Sequence, residues 1–555
     1  MPARILLVTL NAKYIHASLG LRYLLANMAR HGGADLRECT TLREFTIHRP
    51  AQEVVDAVLA ELDAHVATPA DAGQPIHIIG FGVYIWNVLQ TTEVVRLLKA
   101  QRPHIKVVLG GPEVSHELEG QPIVQLADHV ITGWGDVSFP QLCRALVHGP
   151  QPLMRVIAGV QPPLDELDLP YLEYSDTDIA QRVLYVEASR GCPFKCEFCL
   201  SALDKTAWAF EQQAFLAEID ALYQRGARSF KFVDRTFNLK IDASVRVLQF
   251  FLDRLAAQPQ DLVPNLQLHF EVVPDHLPER LQAMLVQFPP GVLQLEIGIQ
   301  SFNPEVQQRI SRRQDNATTS ANIAWLVQHT QAHLHTDLIF GLPGETWHSF
   351  AQGFDALYAL RPHEIQLGLL KRLRGTPLAN RSKAGEVAQF GMAYQSEPPY
   401  TVLHTDAVSA QEVQAFTRLA RYWDLVANSG RFARALVLLL EGKDTAPVES
   451  AFAAFHAFAD WLWARTQATS TLTPEVLLDA LFDYLSTERA LPADQVRAAL
   501  LADYVASGAR SNPTALQGLL PRRESHSKSH REPVGKAASS ALHHRQDRHQ
   551  RQPTP

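Results

Sequence analysis

Cys192, Cys196 and Cys199 stand within the single stretch Ala188-Ser189-Arg190-Gly191-Cys192-Pro193-Phe194-Lys195-Cys196-Glu197-Phe198-Cys199. The chain has only two other cysteines, Cys39 and Cys143. An odd count with three crowded together makes no disulfide framework and reads as metal ligation. Structural zinc takes four ligands, usually from paired Cys-x2–4-Cys sets. No second set exists, so zinc would need a distant histidine. Three thiolates suit a 4Fe–4S cluster in which one iron is left open for a substrate atom. Cys39 and Cys143 are expected to be small buried hydrophobes.

The elements around this loop alternate strand and helix. In residues 1–147, strands are predicted at Ile5–Val8, Thr41–Ile47, Ile76–Val83, Ile105–Leu109 and His129–Thr132. Helical stretches lie between them, and Val54, Val55, Val58, Leu59 and Leu62 share one face. Five strands in this order predict a flavodoxin-like doubly wound parallel sheet, which binds ligands beyond the carboxyl ends of its strands. The acidic, Pro-rich stretch Gln161–Pro170 reads as a linker.

A second series follows, with strands predicted at Leu184–Glu187, Ser229–Val233, Leu266–Val272, Leu293–Ile299, Leu334–Phe340 and Ile365–Leu370. Six such units predict a partial (β/α)6 TIM-type barrel, with chemistry at the carboxyl strand ends. The cysteine loop lies at the end of the first strand. Residues 390–520 read as mostly α-helical. Ser409-Ala410-Gln411-Glu412 is a capping box, further helices fit Arg431–Leu440 and Val448–Ala464, and the Phe-rich stripe of the last is expected in a bundle core. The expected organisation is therefore 1–148, a linker at 149–180, a barrel at 181–388, a helical domain at 389–520 and a disordered tail at 521–555.

Composition narrows the function. The 555 residues are 46% hydrophobic and 20% charged, and Lys+Arg 51 against Asp+Glu 58 gives a net charge of −7. This is globular material with an acidic balance, so a nucleic-acid partner is not expected. No apolar run approaches the ~20 residues of a membrane span. The N-terminus carries no signal-peptide pattern, so the expected location is cytoplasmic.

The cysteine loop and the barrel after it resemble the radical S-adenosylmethionine enzymes. All three cysteines match the family motif, with Phe198 in its aromatic slot, and the likeness covers about residues 180–385. The resemblance implies a 4Fe–4S cluster on Cys192, Cys196 and Cys199 whose open iron chelates S-adenosylmethionine. Reductive cleavage would then yield a 5′-deoxyadenosyl radical. It further implies cofactor contacts from Phe198, from Asp234 after the second strand, and from Glu296, Gln300 and Ser301 on the fourth. Gly341 and Gly344 in Gly341-Leu342-Pro343-Gly344-Glu345 match the adenine-side loop.

Residues 1–147 are similar to the cobalamin-binding domain found ahead of many such barrels. The matching pieces are Gly80-Phe81-Gly82, Gly110-Gly111-Pro112-Glu113 and Gly133-Trp134-Gly135-Asp136. They imply that Gly82, Gly110, Gly111, Gly133 and Gly135 face the corrin. His16 departs from the cobalt-ligating Asp-x-His-x-x-Gly spacing and is expected only to border that pocket. The whole chain thus resembles a cobalamin-dependent radical S-adenosylmethionine protein with an uncharacterised C-terminal helical domain.

The resemblance implies methylation of an unactivated carbon, with radical cyclisation or oxidation without methyl transfer as the alternative. It also implies a small-molecule or peptide substrate and a low-potential donor such as flavodoxin or ferredoxin. A non-catalytic corrinoid or iron–sulfur sensor stays open. A methylthiotransferase would need three cysteines in the N-terminal domain, and only Cys39 and Cys143 are there.

Overall fold

The run Ile5-Leu6-Leu7-Val8 is apolar at every position because both faces of its sheet are covered. The computed structural model describes residues 3–64, 75–257, 265–383, 390–441 and 450–520, with 545, 546, 548 and 549. It divides into two units, Met1–Arg235 with Lys371–Glu386 and Gln395–Thr401, and Thr236–Leu370 with Val387–Tyr394 and Val402–Pro555.

The first unit holds β1 (Ala3–Asn11), β2 (Thr40–Thr46), β3 (Ile76–Gly82), β4 (Lys106–Gly110), β5 (His129–Thr132) and β6 (Val156–Ala158). They form one parallel sheet in the order β2-β1-β3-β4-β5-β6. Leu6, Val8 and Leu10 pack with Val54, Val58, Val94 and Leu98 of the helices on one face. Ile5 and Leu7 pack on the other with Leu21, Leu25, Met28, Phe139 and Leu142. Cys143 lies buried in that second core with Cys39 against it, and neither is in a disulfide.

Two features differ from the sequence reading. Strand β6 is a sixth member of the sheet, only three residues long and without a buried side chain, so no periodicity announces it. The stretch Gln161–Pro170 is strapped down rather than loose. Leu164 and Leu167 are buried, and the Asn27 side chain donates to Asp168 O (3.0 Å) and accepts from its N–H (2.9 Å).

The same unit carries β7 (Leu184–Val186), β8 (Ser189–Arg190), β9 (Trp208–Ala209) and β10 (Ser229–Phe232). Strands β7 and β10 pair parallel, and β8 and β9 antiparallel. The first two expected barrel strands therefore belong to one compact unit with the N-terminal sheet. A half-buried arginine ties the two together. Arg190 pairs with Asp136 after β5 (3.0 Å) and with Glu187 after β7 (2.8 Å). Its guanidinium also lies over the rings of Tyr23 (4.5 Å) and Trp134 (4.6 Å).

The second unit holds β11 (Gln267–Val272), β12 (Leu293–Gln300), β13 (His333–Phe340) and β14 (Glu364–Leu369), all parallel and in sequence order. Helices Asn316–His329 and Trp347–Ala359 make the crossovers that parallel neighbours require. All six predicted strands of the second series are thus present, two in one unit and four in the other. Beyond β14 come helices Ala410–Val426, Ala433–Leu440, Ala451–Thr466, Pro474–Thr487 and Ala493–Ala506. The capping box forms, with Ser409 Oγ accepting from Glu412 N and the Glu412 carboxylate accepting from Ser409 N.

The aromatic stripe is core, as expected. Phe452 packs on Trp347, Phe350 and Phe354, and Phe455 on Trp423. Trp423 Nε1 and Asn428 Nδ2 both donate to Ile365 O, and Asn428 Oδ1 accepts from Ile365 N. One asparagine thereby occupies backbone groups that β14 would otherwise leave open at its edge.

The expected disordered tail lies largely outside the described residues, but Arg545, Gln546, Arg548 and His549 correct it where they are described. These four are helical. Arg545 pairs with Asp424 (2.5 Å) and Glu364 (3.3 Å), and the His549 ring lies 5.2 Å from that of His333. Charge pairing and ring contact hold Arg545 and His549.

Two predictions follow from these buried charges. Arg190→Met leaves Asp136 and Glu187 buried without their cation and should cost about 3–5 kcal/mol, measured by urea unfolding of the full chain. Asp503 is fully buried and accepts from Arg434 N (3.1 Å) and Ala435 N (3.0 Å), capping helix Ala433–Leu440. Burial raises its pKa to about 6. The stability linked to its protonated form is present below the ordinary carboxylate range and lost as pH rises through about 6. Asp503→Asn should flatten that slope in unfolding measured between about pH 4 and about pH 8.

Candidate active site

Strand β7 delivers the chain to the cysteine loop, and the segment after it folds back. Cys192 N donates to Asp204 O (2.8 Å), and Cys199 N donates to Cys196 O (3.1 Å). Gly191 has φ +92°, and a Cβ there would sit 2.6 Å from Thr206 Oγ1. The loop therefore needs glycine at that turn. Cys192 and Cys196 are buried and Cys199 is half-buried, with no disulfide among them.

Burial pushes the Cys192 thiol up, and the charges of Cys199 and Cys196 push it further. These sulfurs are close enough to repel as thiolates, and a cationic metal group between them would reverse that penalty. Among the described residues no trio of His, Cys, Asp or Glu converges on one metal ion. A cubane cluster offers separate iron corners, so its ligands need not meet at one point. Three thiols from one loop are the donor set that a cubane cluster with one open iron takes. Phe198 is half-buried beside Cys199. The neighbouring Glu197 is held by Arg381 (2.7 Å), and its carbonyl accepts from Leu378 N (3.0 Å).

Asp234 is already engaged within this unit. Its carboxylate accepts from Ala188 N (2.9 Å) and Ser189 Oγ (2.5 Å), and burial raises its pKa to about 7. Its observed work is to fix the strand leading into the cysteine loop.

The glycine loops lie beyond β3, β4 and β5. Gly111 is the position that requires its residue type, with φ +110° and a Cβ position 2.5 Å from Val83 O. Gly82 O accepts from Thr9 Oγ1 and Asn87 Nδ2, each at 3.0 Å. Around Gly110 the nearest atom to a would-be Cβ is Ile131 O at 3.8 Å, and around Gly133 there is none within 4 Å. Open space at these two suits a flat ligand against backbone. Gly135 meets Leu24 at 3.2 Å and is set by packing.

His16 Nδ1 is hydrogen-bonded to Tyr185 OH (2.8 Å), and burial lowers the imidazole's pKa. It is tied to β7 through that bond.

Several residues here were not singled out from the sequence. Glu113, buried after Gly111, pairs with Arg374 (2.8 Å) and accepts from Tyr400 OH (2.8 Å). Glu117 pairs with Arg372 (2.9 Å). Residues some 260 positions downstream thus brace the β4 loop. Tyr84 and Trp86 stack at 4.4 Å just after β3, with Trp86 48% exposed. An aromatic pair directly after a glycine-ended strand was the signal available in the sequence.

The remaining candidates are in the second unit. Gln300 sits at a register shift of β12 with φ +72°. Ser301 Oγ is hydrogen-bonded to the buried Glu345 carboxylate, whose pKa burial raises. This joins the end of β12 to the Gly341–Glu345 turn. Gly341 has φ +87°, and a Cβ on Gly344 would collide with the Arg309 guanidinium. Glu296 lies mid-strand and is paired with His269 Nε2 (2.7 Å). Gln300, Ser301, Gly341 and Gly344 therefore gather at strand ends, and Glu296 does not.

Comparison with known proteins assigns these parts. Residues 186–357 match the model of the radical SAM superfamily, residues 5–143 that of the B12 binding domain, and residues 388–546 a protein family of unknown function, DUF4080. The chain is 24% identical over 384 residues to the cobalamin-dependent radical SAM methyltransferase TokK of Streptomyces tokunonensis, covering 60% of this chain and 54% of that protein. It is 23% identical over 354 residues to a 2-(S-pantetheinyl)-carbapenam-3-carboxylate methyltransferase of Streptantibioticus cattleyicolor, covering 55% and 50%. The match thus spans about half the length of these relatives.

Two solved folds are similar. The cobalamin-dependent S-adenosylmethionine radical enzyme OxsB aligns with TM-score 0.58 at 11% identity over 91% of this chain and 81% of that one. The radical S-adenosylmethionine methyltransferase TsrM of Kitasatospora setae aligns with TM-score 0.54 at 16% identity, over 71% and 80%. The chain carries a B12 binding domain ahead of a radical SAM domain.

Proposed function

We propose that this protein is a cobalamin-dependent radical S-adenosylmethionine enzyme that methylates an unactivated carbon of a small molecule or peptide. The observation that carries the reading is the set of three thiols on one loop, tied by Arg190 to the loop after β5 of the B12 binding domain. Cys192, Cys196 and Cys199 would hold a 4Fe–4S cluster, and the open backbone at Gly110 and Gly133 would receive the corrin. When bound, these groups supply an electron that cleaves S-adenosylmethionine to a 5′-deoxyadenosyl radical, and a methyl group for transfer.

The chain's own residues then bind, orient and exclude water. Asp234 and Arg190 fix the backbone that leads into Gly191 and the cysteine loop. His16, held to Tyr185, would border the corrin pocket. Gln300, Ser301 and the Gly341–Gly344 turn would contact S-adenosylmethionine. Glu296 is assigned to support through His269 rather than to the cofactor. Neither the net charge of −7 nor any described helix, none of which is long and apolar enough to cross a membrane, points to nucleic acid or membrane as substrate.

Anaerobic reconstitution followed by iron, sulfide and corrinoid assay should find about four iron per chain and bound corrinoid. Cys192→Ser, Cys196→Ser or Cys199→Ser should each lose most of the iron while corrinoid binding persists. Turnover with methyl-deuterated S-adenosylmethionine should place label in the product. Deoxyadenosine without labelled product overturns methylation in favour of cyclisation or oxidation. A cluster- and corrinoid-loaded protein that releases no deoxyadenosine under dithionite is a sensor.

A further inference from the structure

Arg545, Gln546, Arg548 and His549 lie across the amino ends of all four strands of the second unit's sheet. Gln546 Nε2 donates to Gln294 Oε1 on β12 (2.5 Å), and Gln546 Oε1 accepts from Gln267 Nε2 on β11 (3.5 Å). Arg545 pairs with Glu364 at the start of β14 (3.3 Å) and with Asp424 (2.5 Å). It also donates to Asn428 O (2.5 Å), and Arg548 donates to Ser429 O (2.8 Å). These carbonyls follow helix Ala410–Val426, whose dipole favours cations at that end. The hold is polar throughout. His549 completes it, with Nε2 donating to Asn428 O (3.1 Å) and its ring 5.2 Å from His333 and 6.3 Å from His363.

The three imidazoles are placed as neutral rings. His363 Nδ1 accepts from Leu334 N (3.1 Å), a bond that a proton on that nitrogen would break. His333 Nε2 faces the Glu364 carboxylate (2.9 Å), and its Nδ1 is buried with no hydrogen-bond partner among the described residues. The His333 and His363 rings are 4.7 Å apart. We infer that Arg545, Gln546, Arg548 and His549 form a pH-released latch that closes the amino ends of β11–β14 until the histidine cluster takes up protons. The carboxylates facing the cluster are Glu364 and Asp424, and Arg545 already pairs with both. Further along the sheet, Glu296 of β12 pairs with His269 of β11 (2.7 Å), and Asp337 with His335 on β13 (3.5 Å). An added proton therefore sits beside the Arg545 guanidinium without a carboxylate of its own. Burial lowers all three imidazoles, His363 to about 3 and His549 to about 4. A freed His549 returns to the ordinary imidazole range near about 6.5. The open form then binds the proton, so docking weakens as pH falls below that range.

Trypsin can cut after Arg545 and Arg548 only when these side chains leave their partners, so cleavage reports the open form. The test follows both cuts by mass spectrometry in the full-length protein. Each rate is divided by that of a synthetic peptide of residues 540–555 in the same buffer, which removes the protease's own pH dependence. The wild-type ratio should be low at about pH 7.5 and rise roughly tenfold by about pH 5.5. His549→Gln keeps a donor for Asn428 O and takes no proton, so its ratio should change less than about threefold over that range. Arg545→Ala should be cut at close to the peptide's rate at both pH values. A wild-type ratio that does not change with pH, or a His549→Gln protein that responds as fully as wild type, overturns the latch. So does an Arg545→Ala protein as protected as wild type, or cleavage rising in parallel across the rest of the chain.

Discussion

The Arg190 guanidinium anchors the chain leading into the cysteine loop to the rest of its unit. Arg190 sits between a carboxylate that follows β5 and one that follows β7, under two aromatic rings, and the first cysteine comes two residues later. An ion pair this enclosed adds little net stability against an apolar replacement of the whole group, but it tolerates no missing partner. Its value is geometric. It ties the loop after β5, whose Gly133 backbone lies open, to the loop bearing the thiols, so two candidate cofactor sites share one anchor. The brace from Arg372, Arg374 and Tyr400 onto Glu117 and Glu113 does the same for the loop after β4.

These anchors explain what the sequence could and could not disclose. The three cysteines were legible because the ligand set is local and its residue types have few other uses at that spacing. The strands were legible because their apolar runs are unbroken in a sheet covered on both faces. Strand β6 was not, being three residues with no buried side chain. Arg190 was hidden in plain view, since its partner Asp136 lies 54 positions away, and pairing over such separations leaves no periodic trace. Asp234 and Glu296 carried the residue type of cofactor contacts, and their carboxylates are hydrogen-bonded to Ser189 and His269. Which hydrogen bond a strand-end carboxylate satisfies first is a question of three-dimensional neighbours.

The C-terminal helices show the same division. Their aromatic content forecast a packed core, and Phe452, Phe455, Trp423 and Phe354 supply it. The way that core attaches to β14, through Asn428 taking both backbone groups of Ile365, depends on one polar residue with no motif around it. Arg545 and His549 extend the principle, since each is held by partners far away in sequence, Asp424 and Glu364 for the arginine and the buried His333 ring for the histidine.

The central claim is that the three thiols hold a cluster with one iron left for S-adenosylmethionine. Electron paramagnetic resonance of the dithionite-reduced, reconstituted protein, recorded before and after adding S-adenosylmethionine, tests it most directly. The account predicts a cluster signal that changes shape when the cofactor chelates the open iron. A signal indifferent to S-adenosylmethionine would mean four filled corners or a different metal, and would contradict the account.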